Sequence, residues 1–256
     1  MDLGAQLAGR RVLITGASSG LGAHFARLCA KHGARVAVAA RRIERLEELT
    51  TELKQLGAAD ALAVALDVTQ EASVEACAKK VFDTFGGLDV LVNNAGNASE
   101  GLCVDQSADD FDSVLNVNLR GVWLMAVAVG RHWRDSGQTG SIVNIASVLG
   151  FRVSPGVAPY AISKAGVVQM TKALALELVR YNIRVNALAP GYFQTEINDG
   201  FFETPFGKKT ISRNPMRRIG QLDELNAPFL LLASEASSYM NGAIIPVDGG
   251  HLVSSL

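Results

Sequence analysis

The sequence predicts a single α/β domain, a doubly wound parallel sheet of about seven strands with helices on both faces. Short apolar runs alternate with longer amphipathic runs from end to end, which is the pattern of βαβ units. The composition is 48% hydrophobic but only 6% aromatic, with 25 glycines, as expected for aliphatic strands buried on both faces and for glycine turns beside a ligand. No repeat or linker divides the 256 residues, so we expect one domain over residues 1–256.

The individual elements follow from this alternation. Strands are predicted at the short apolar runs Val12–Thr15, Arg35–Ala39, Ala61–Leu66, Val90–Asn93, Ser141–Ala146, Arg184–Leu188 and Ala243–Val247. Helices are predicted at the longer runs Leu21–His32, Ile43–Leu56, Glu71–Phe85, Asp109–Arg134, Val157–Tyr181 and Gln221–Leu232. Gly33 and Gly57 directly follow the first two helices, as glycine often does at a helix end.

One long irregular segment, residues 192–218, follows the sixth predicted strand. Long loops in compact domains usually serve function, so this segment is predicted to be a substrate lid. It contains four phenylalanines, Phe193, Phe201, Phe202 and Phe206.

Charge and composition argue for a small-molecule partner. The net charge is -1, from 24 basic and 25 acidic residues, and no block of like charge provides a surface for nucleic acid or an acidic membrane. The longest unbroken apolar stretch is Val122–Val129, too short to span a bilayer, and Met1–Gly9 lacks the order of a secretory signal. Three widely spaced cysteines, Cys29, Cys77 and Cys103, favour a reducing compartment and no structural zinc. We therefore expect a cytoplasmic protein without a metal.

The first strand ends in a glycine-rich turn, Thr15-Gly16-Ala17-Ser18-Ser19-Gly20-Leu21-Gly22. Gly16 permits the tight turn, Gly20 lets backbone N–H groups approach a pyrophosphate, and Gly22 lets the helix lie close to the sheet. The helix N-terminus adds partial positive charge for the anion. A strand before the turn and a helix after it predict a Rossmann-type dinucleotide site.

The end of the second strand indicates which dinucleotide binds. Enzymes that use NAD place a carboxylate there for the ribose, whereas those that use NADP offer arginine to the 2'-phosphate. This chain reads Val38-Ala39-Ala40-Arg41-Arg42, with no acidic residue before Glu44. Two guanidiniums favour NADP(H) over NAD(H). The alternative is an exposed arginine pair that opens a helix, which the helix dipole disfavours.

Tyr160 and Lys164 are four residues apart, so on a helix they face the same side. A lone tyrosine, with a pKa near 10, is a poor proton donor or acceptor at neutral pH. We expect the ammonium of Lys164 to lower the pKa of Tyr160, and a shift of about three units, or about 4 kcal/mol, would bring the phenol into working range.

Ser147 follows the fifth strand, at the sheet edge where parallel α/β folds bind ligands. Its hydroxyl can hydrogen-bond a carbonyl oxygen on which charge develops. A hydrolase is disfavoured because Asn144-Ile145-Ala146-Ser147-Val148 is not a nucleophile elbow. The four histidines, none close to Ser147 in sequence, are predicted to be structural or exposed: His24, His32, His132 and His251.

With these motifs in this order, nearly the whole chain resembles the short-chain dehydrogenase/reductase family in its compact form. Further matches are Asp67 and Val68 at the adenine, Asn93-Asn94-Ala95-Gly96 after the fourth strand, Pro190-Gly191 and Thr195 beside the nicotinamide, and Val247-Asp248-Gly249-Gly250 near the C-terminus. The resemblance implies that Tyr160 is the acid/base, that Ser147 positions the substrate oxygen and that Lys164 binds the nicotinamide ribose. Asn118 matches the helix asparagine that holds a proton-relay water.

The implied reaction interconverts a ketone and a secondary alcohol by hydride transfer, in the style of 3-oxoacyl reductases and related ketone or alcohol dehydrogenases. Leu149, Phe151, Val153, Tyr192 and Phe193 are candidate pocket residues. They are mostly apolar and include no cation, which favours a neutral ketone or an acyl thioester. The two long helices carry apolar residues on more than one side, and in this family the equivalent helices form a homotetramer.

Two alternatives remain open. One is an NAD-dependent alcohol or sugar-alcohol dehydrogenase. The other is a non-catalytic NADP-binding regulatory or scaffold protein, against which the intact set of Ser147, Tyr160 and Lys164 argues. The sequence leaves the substrate, the direction and the stereochemistry undetermined.

Overall fold

A computed structural model describes residues 2–195 and 200–254 of the chain. It contains a seven-stranded, fully parallel sheet in the order β3-β2-β1-β4-β5-β6-β7. The strands are β1 Arg11–Thr15, β2 Arg35–Ala40, β3 Asp60–Ala65, β4 Val90–Asn93, β5 Gly140–Ile145, β6 Ile183–Pro190 and β7 Ile244–Val247. The predicted α/β class and strand number are confirmed.

Helices cover both faces of the sheet. They are α1 Gly20–Lys31, α2 Ile43–Gln55, α3 Glu71–Phe85, α4 Ala108–Leu115, α5 Gly121–Ser136, α6 Ala158–Leu178, α7 Pro205–Arg213 and α8 Asn226–Ala233. The helices α1, α2 and α8 pack on one face, where the rings of Phe25 and Phe229 stack at 4.3 Å. The helices α3, α5 and α6 pack on the other.

The central strand β1 shows why the fold is doubly wound. Val12 and Ile14 point into the core beneath α1, whereas Leu13 points into the opposite core beneath α3 and α5. All three side chains are fully buried, so the strand needs apolar residues at every position rather than at every second one. This burial explains the continuous apolar runs of the sequence.

The predicted helix Asp109–Arg134 is wrong in one respect, since a π-helical turn at Asn116–Arg120 separates α4 from α5. The predicted lid also contains a helix, α7, whose start is capped by Thr204 Oγ1 accepting from the Gly207 N–H at 3.0 Å. Residues 196–199 of the lid and the side chain of Phe201 lie outside the described part of the chain. The last predicted helix begins with a 3₁₀ turn, Leu222–Leu225.

The helical stretch 108–136 is long and apolar enough to cross a membrane by length and composition, with a mean hydropathy of 1.3. Half of it is buried inside the protein. Trp133, for example, is fully enclosed and donates its indole N–H to the carbonyl of Leu88 at 2.7 Å. Packing against the sheet therefore accounts for this apolar character.

Candidate active site

A cleft of about 470 Å³ lies along the carboxyl ends of the strands, where β1 separates two oppositely directed sets of connections. Its lining includes most of the residues predicted to bind the cofactor: Gly16, Ser18, Ser19, Gly20, Leu21, Arg41, Arg42, Asp67, Val68, Asn94, Ala95, Gly96, Pro190, Gly191 and Thr195. Ser147, Tyr160 and Lys164 line the same cleft. Residues from seven separate segments of the chain thus meet in one place.

The glycine turn is held tightly against β4. Gly16 has a φ of +66°, a conformation that side chains disfavour. The Asn94 side chain donates to the carbonyls of Thr15 at 3.0 Å and Gly16 at 3.1 Å. A Cβ atom on Gly22 would lie 2.5 Å from both the Gly16 carbonyl oxygen and Asn94 Nδ2. The close approach of α1 to the sheet therefore requires glycine at residue 22.

The start of α1 is open to an anion. Ser19 is the N-cap residue, but its side chain makes no capping hydrogen bond, which leaves first-turn N–H groups without a partner from that side chain. Arg42 Nη2 donates to Ser18 Oγ at 2.9 Å and to Ser19 Oγ at 3.3 Å. A guanidinium thus lies beside the open helix end, which suits a phosphate group.

The adenosine end of the cleft combines Arg41 with Asp67. The backbone N–H of Thr69 donates to the Asp67 carboxylate at 3.0 Å, and this bond is the main cause that lowers the pKa of Asp67, followed by the Thr69 hydroxyl and the charge of Arg41. The exposed Arg41 therefore lies close to Asp67 without a direct ion pair between them in the described residues. Together with Arg42 and the open start of α1, the guanidinium of Arg41 fits a dinucleotide with a 2'-phosphate.

At the other end of the cleft, β5 and α6 bring the catalytic candidates together. Lys164 is 4% exposed, and its Nζ donates to the carbonyl of Ile145 at 2.8 Å and lies 5.6 Å from the centre of the Tyr160 ring. Ser147 is buried, and its Oγ accepts from the Leu149 N–H at 3.1 Å. Thr171, further along α6, accepts from Asn144 of β5 at 2.9 Å and holds the helix to the sheet.

The expected lowering of the Tyr160 pKa is wrong for the protein alone. Burial raises the pKa of Tyr160, a hydrogen bond with Ser147 opposes this, and the nearby Tyr192 raises it further. Burial also lowers the pKa of Lys164 to about 8. Desolvation disfavours the charged form of each group, so Tyr160 stays protonated at neutral pH.

Asn118 lies at the π-helical turn, below Gly96. Its Oδ1 accepts from the Asn97 N–H at 2.8 Å, and its Nδ2 donates to the Asn97 carbonyl at 2.8 Å and to Ser163 Oγ at 3.1 Å. Ser163 in turn donates to the carbonyl of Tyr160 at 2.7 Å. Asn118 therefore connects the loop after β4 to the helix that carries Tyr160 and Lys164, and its role with water stays a prediction.

Beyond Tyr160, three side chains from distant segments meet. The Tyr192 ring packs edge-on against His251 at 5.5 Å and against Phe202 at 6.1 Å between ring centres. Arg152 Nη1 donates to the His251 carbonyl and to Ser254 Oγ, the latter at 2.7 Å. Burial, and then the charge of Arg152, lower the pKa of His251.

A family model described as Enoyl-(Acyl carrier protein) reductase matches residues 16–251. The chain belongs to the short-chain dehydrogenase/reductase family. It is an oxidoreductase of the kind that acts on CH–OH and C=O groups.

Relatives in this family carry different substrate names. The chain is 40% identical to the 3-oxoacyl-[acyl-carrier-protein] reductase of Thermotoga maritima over 97% of this chain and 100% of that protein. It is 36% identical to the gluconate 5-dehydrogenase of Gluconobacter oxydans over 97% of this chain and 96% of that one. The crystal structure of a gluconate 5-dehydrogenase from Burkholderia cenocepacia J2315, in complex with NADP and tartrate, superimposes with a TM-score of 0.94 at 37% identity, covering 100% of both chains.

Some predicted site residues lie outside the lining of the dehydrogenase cleft. Gly22 lies behind the turn, Asn118 beneath the floor, and Leu149 and Tyr192 toward the substrate side. Phe193 does line the cleft, but it is buried, and its ring lies where a side chain on residue 220 would be. It therefore packs as core rather than as an open pocket wall.

Sequence reasoning missed eight lining residues, five of which lie at or just after strand ends: Ala39, Ala40, Leu66, Ile145 and Ala146. It also missed two residues of the proposed substrate side. Asn97, Ala98 and Val117 line the cleft, and their signal was their position next to the Asn93–Gly96 and Asn118 motifs. His251, predicted to be structural or exposed, and Arg152, overlooked as a cation, lie on the substrate side. His251 directly follows the Val247–Gly250 motif and Arg152 lies between the candidate pocket residues Phe151 and Val153, but no local pattern indicates that the two meet.

Proposed function

We propose that this protein is an NADP(H)-dependent oxidoreductase that interconverts a ketone and a secondary alcohol, with Tyr160 as the acid/base. The observation that carries the proposal is the convergence of Ser147, Tyr160 and Lys164 at the inner end of the dinucleotide cleft. A simple binding protein does not need a buried ammonium beside a partly buried phenol, because burial of the ammonium costs free energy. At a site of proton transfer, by contrast, such unfavourable burial is expected, because it tunes the pKa values of the groups that exchange the proton.

Tyr160 and Ser147 act on the substrate oxygen. The bound cofactor supplies the hydride, and the protein handles the proton. As charge develops on the carbonyl oxygen, Tyr160 donates its phenolic proton to it, and in the reverse direction the phenolate accepts that proton from the alcohol. Ser147 Oγ accepts a bond from the Leu149 N–H and its hydroxyl lies within hydrogen-bonding reach of Tyr160, so we expect the serine proton to turn to the substrate oxygen when a substrate binds.

Lys164 stabilises the phenolate that remains after proton donation. Its ammonium spends one N–H on the Ile145 carbonyl, and a lysine ammonium has two more to donate. Gly96 leaves the space above it open, since a Cβ there would lie 3.8 Å from Lys164 Nζ. A ribose hydroxyl at this place would join the lysine to the tyrosine.

NADP(H) is the proposed cofactor rather than NAD(H). Arg41 and Arg42 directly follow β2, and Arg42 already contacts the serines of the phosphate turn. A relative of the same length, solved in complex with NADP, adds support. The substrate is proposed to be a small ketone or a 3-oxoacyl thioester, and the relatives' names include both polyhydroxy acids and acyl carriers.

The proposal is tested by measuring NADPH and NADH oxidation with a panel of ketones: 3-oxoacyl thioesters, simple ketones, diketones and keto sugars. Tyr160→Phe should lower kcat by about 1000-fold while leaving the NADPH dissociation constant unchanged, because the phenol donates the proton but does not hold the phosphates. Tyr181→Phe, which alters a tyrosine at the end of α6, is the matched control. Unchanged turnover in Tyr160→Phe would refute the mechanism, and a preference for NADH would favour the NAD-linked alternative.

A cytoplasmic homotetramer is proposed as the assembly. Trp123 of α5 and Ile162 and Leu176 of α6 are large apolar residues with 45%, 51% and 78% exposure. Such exposed apolar side chains on adjacent helices favour a subunit contact. Light scattering should give four times the 27.1 kDa chain mass.

A further inference from the structure

Arg152, Tyr192 and His251 form what we call the polar wall, on the substrate side of Tyr160. Each of the three has hydrogen-bonding capacity that the described residues leave unused. His251 Nδ1 is enclosed without a partner, the Tyr192 hydroxyl makes no hydrogen bond, and Arg152 uses only Nη1. Buried polar atoms in folded proteins usually have partners, so an orphan beside an active site indicates that a ligand supplies one.

The polar wall lies close to the acid/base, just outside the lining of the dinucleotide cleft. Tyr192 follows Gly191, which lines the cleft, and the Tyr192 phenol is near enough to Tyr160 to raise the pKa of that phenol. His251 packs edge-on against the Tyr192 ring. A substrate whose carbonyl oxygen touches Tyr160 therefore extends toward Tyr192 and then toward His251.

The polar wall is held in a fixed position by the turn that carries His251. Asp248 Oδ1 accepts from the Gly250 N–H at 2.9 Å, and its Oδ2 accepts from the Leu252 N–H at 2.7 Å. Arg152 closes the other side through the His251 carbonyl and Ser254. A polar group held this firmly can select a ligand, because little ordering is left for binding to accomplish.

We propose that the polar wall is a substrate subsite that selects oxygen-rich ketones, namely polyhydroxy ketones and keto acids, over acyl chains. The inference rests on the proposed function and names its substrate class. A neutral imidazole offers one donor and one acceptor, a phenol offers both, and the guanidinium retains unpaired N–H groups. This set matches hydroxyl and carboxylate oxygens, whereas an acyl chain would leave every one of these groups unpaired.

The guanidinium of Arg152 is also not neutralised by a direct ion pair. Among the described residues Arg152 makes no ion pair with a carboxylate. Phe151 and Val153, 49% and 88% exposed, lie next to it in the chain and would favour an acyl chain. The proposal is that the polar wall outweighs these exposed apolar residues, because Arg152 and Tyr192 are only partly buried and an acyl chain would remove their hydrogen bonds to water without replacing them.

The test compares three six-carbon ketones and one shorter acyl thioester in the full protein with NADPH. The probes are hexan-2-one, fructose, 5-ketogluconate and an acetoacetyl thioester, which separate apolar, neutral polar, anionic polar and acyl substrates. His251→Phe keeps the ring on Tyr192 but removes both nitrogens. The matched control is His132→Phe, since His132 also stacks on an aromatic ring, Phe82, at 4.5 Å but lies on another face.

We expect the wild type to prefer fructose or 5-ketogluconate, and His251→Phe to lower kcat/KM for them by about tenfold or more, mainly through KM. Activity with hexan-2-one should stay unchanged or rise, and His132→Phe should change neither. If Arg152 binds the substrate carboxylate, Arg152→Lys should lower kcat/KM for 5-ketogluconate more than for fructose. If Arg152 binds hydroxyl groups, kcat/KM should fall equally for both.

A second readout does not depend on turnover. Calorimetric titration of 5-ketogluconate or fructose into Tyr160→Phe with NADP should show weaker binding after His251→Phe is added. A wild type that prefers the acyl thioester, or a His251→Phe variant that changes all substrates by the same factor, would overturn the inference. Failure of the proposed function looks different, because then NADPH binds but the wild type reduces none of the ketones, and the inference falls with it.

Discussion

The proposed site has two halves that are built in different ways. The dinucleotide half, which is the cleft itself, is mostly backbone, in which a glycine turn, the open N-terminus of α1 and the ends of β1 and β4 shape the site within short stretches of chain. The proposed substrate half, which is the polar wall beside the cleft lining, is mostly side chain. There Arg152, Tyr192 and His251 come from three distant segments and meet only in the folded protein.

Because of this difference, the two halves tolerate substitutions to different degrees. A backbone site tolerates few substitutions because its shape depends on glycines and on strand ends. A side-chain site can change its chemistry by single substitutions while the backbone stays the same. Lys164 stands at the junction, with its amine in the dinucleotide half and its charge acting on Tyr160.

The largest expected effect is at this junction. Lys164→Met should lower kcat/KM by about 1000-fold, because the phenolate loses its stabilising cation. The same substitution should raise the free energy of unfolding by about 2 kcal/mol at pH 7, since it removes an ammonium whose burial is unfavourable, less the lost bond to Ile145. Kinetics and urea unfolding measure the two effects. Lys172→Met, at an exposed position on the same helix, should leave both unchanged.

The stability gain should depend on pH in a defined direction. The pKa of Lys164 is about 8 in the folded protein, against 10.5 for an ordinary lysine. Between these values the unfolded chain binds more protons, so the stability of the wild type rises with pH. The gap between Lys164→Met and the wild type should therefore narrow from pH 8 to pH 10.5. A constant gap would mean that the lysine is not desolvated.

A smaller effect tests the backbone character of the dinucleotide half. Gly22→Ala should weaken NADPH binding by about 100-fold, although alanine favours helices, because the new Cβ forces the turn to move at a cost of about 3 kcal/mol. Gly130→Ala in α5 is the control, since its Cβ would meet only Leu178 at 3.9 Å. NADPH fluorescence titration measures both. Tight binding by Gly22→Ala would show that the turn is not rigid.

The smallest effect concerns the choice of cofactor. Arg42→Ala should raise the NADPH dissociation constant by about tenfold and leave that of NADH unchanged, because only NADPH presents a 2'-phosphate to the guanidinium. Arg41→Ala should act in the same direction. Lys54→Ala removes a positive charge from the far end of α2 and should have no effect. If Arg42→Ala weakened the binding of NADPH and NADH equally, Arg42 would hold the glycine turn in place rather than bind the 2'-phosphate.

The sequence predicted the dinucleotide half because its constraints are local. Each of its signals lies within a short stretch of sequence. These signals are the apolar runs of the strands, the glycine spacing from Gly16 to Gly22 and the arginines that follow β2. The same holds for Tyr160 and Lys164, which share a helix face. The seven strands were predicted to within a few residues because their apolar runs are buried on both sides.

The features that the sequence did not predict depend on contacts that no short stretch of sequence contains. The direction of the Tyr160 pKa is set by burial, which three elements create together. His251 and Arg152 are 99 residues apart, and nothing local marks their meeting. The helix α7 lies within the segment that is predicted to be an irregular lid rich in aromatic residues. The start of α7 depends on the Thr204 N-cap and on Pro205 instead.

The π-helical turn at Asn116–Arg120 amounts to one extra residue inside an otherwise continuous helix. An α-helix advances about 100° per residue, so α4 and α5 are out of phase by about that angle. Deletion of one residue in the turn would restore a single phase and rotate Trp133 and Met125 away from the core they fill. The long apolar stretch therefore encodes two amphipathic periods joined by a phase slip, and the residue at the slip is Asn118.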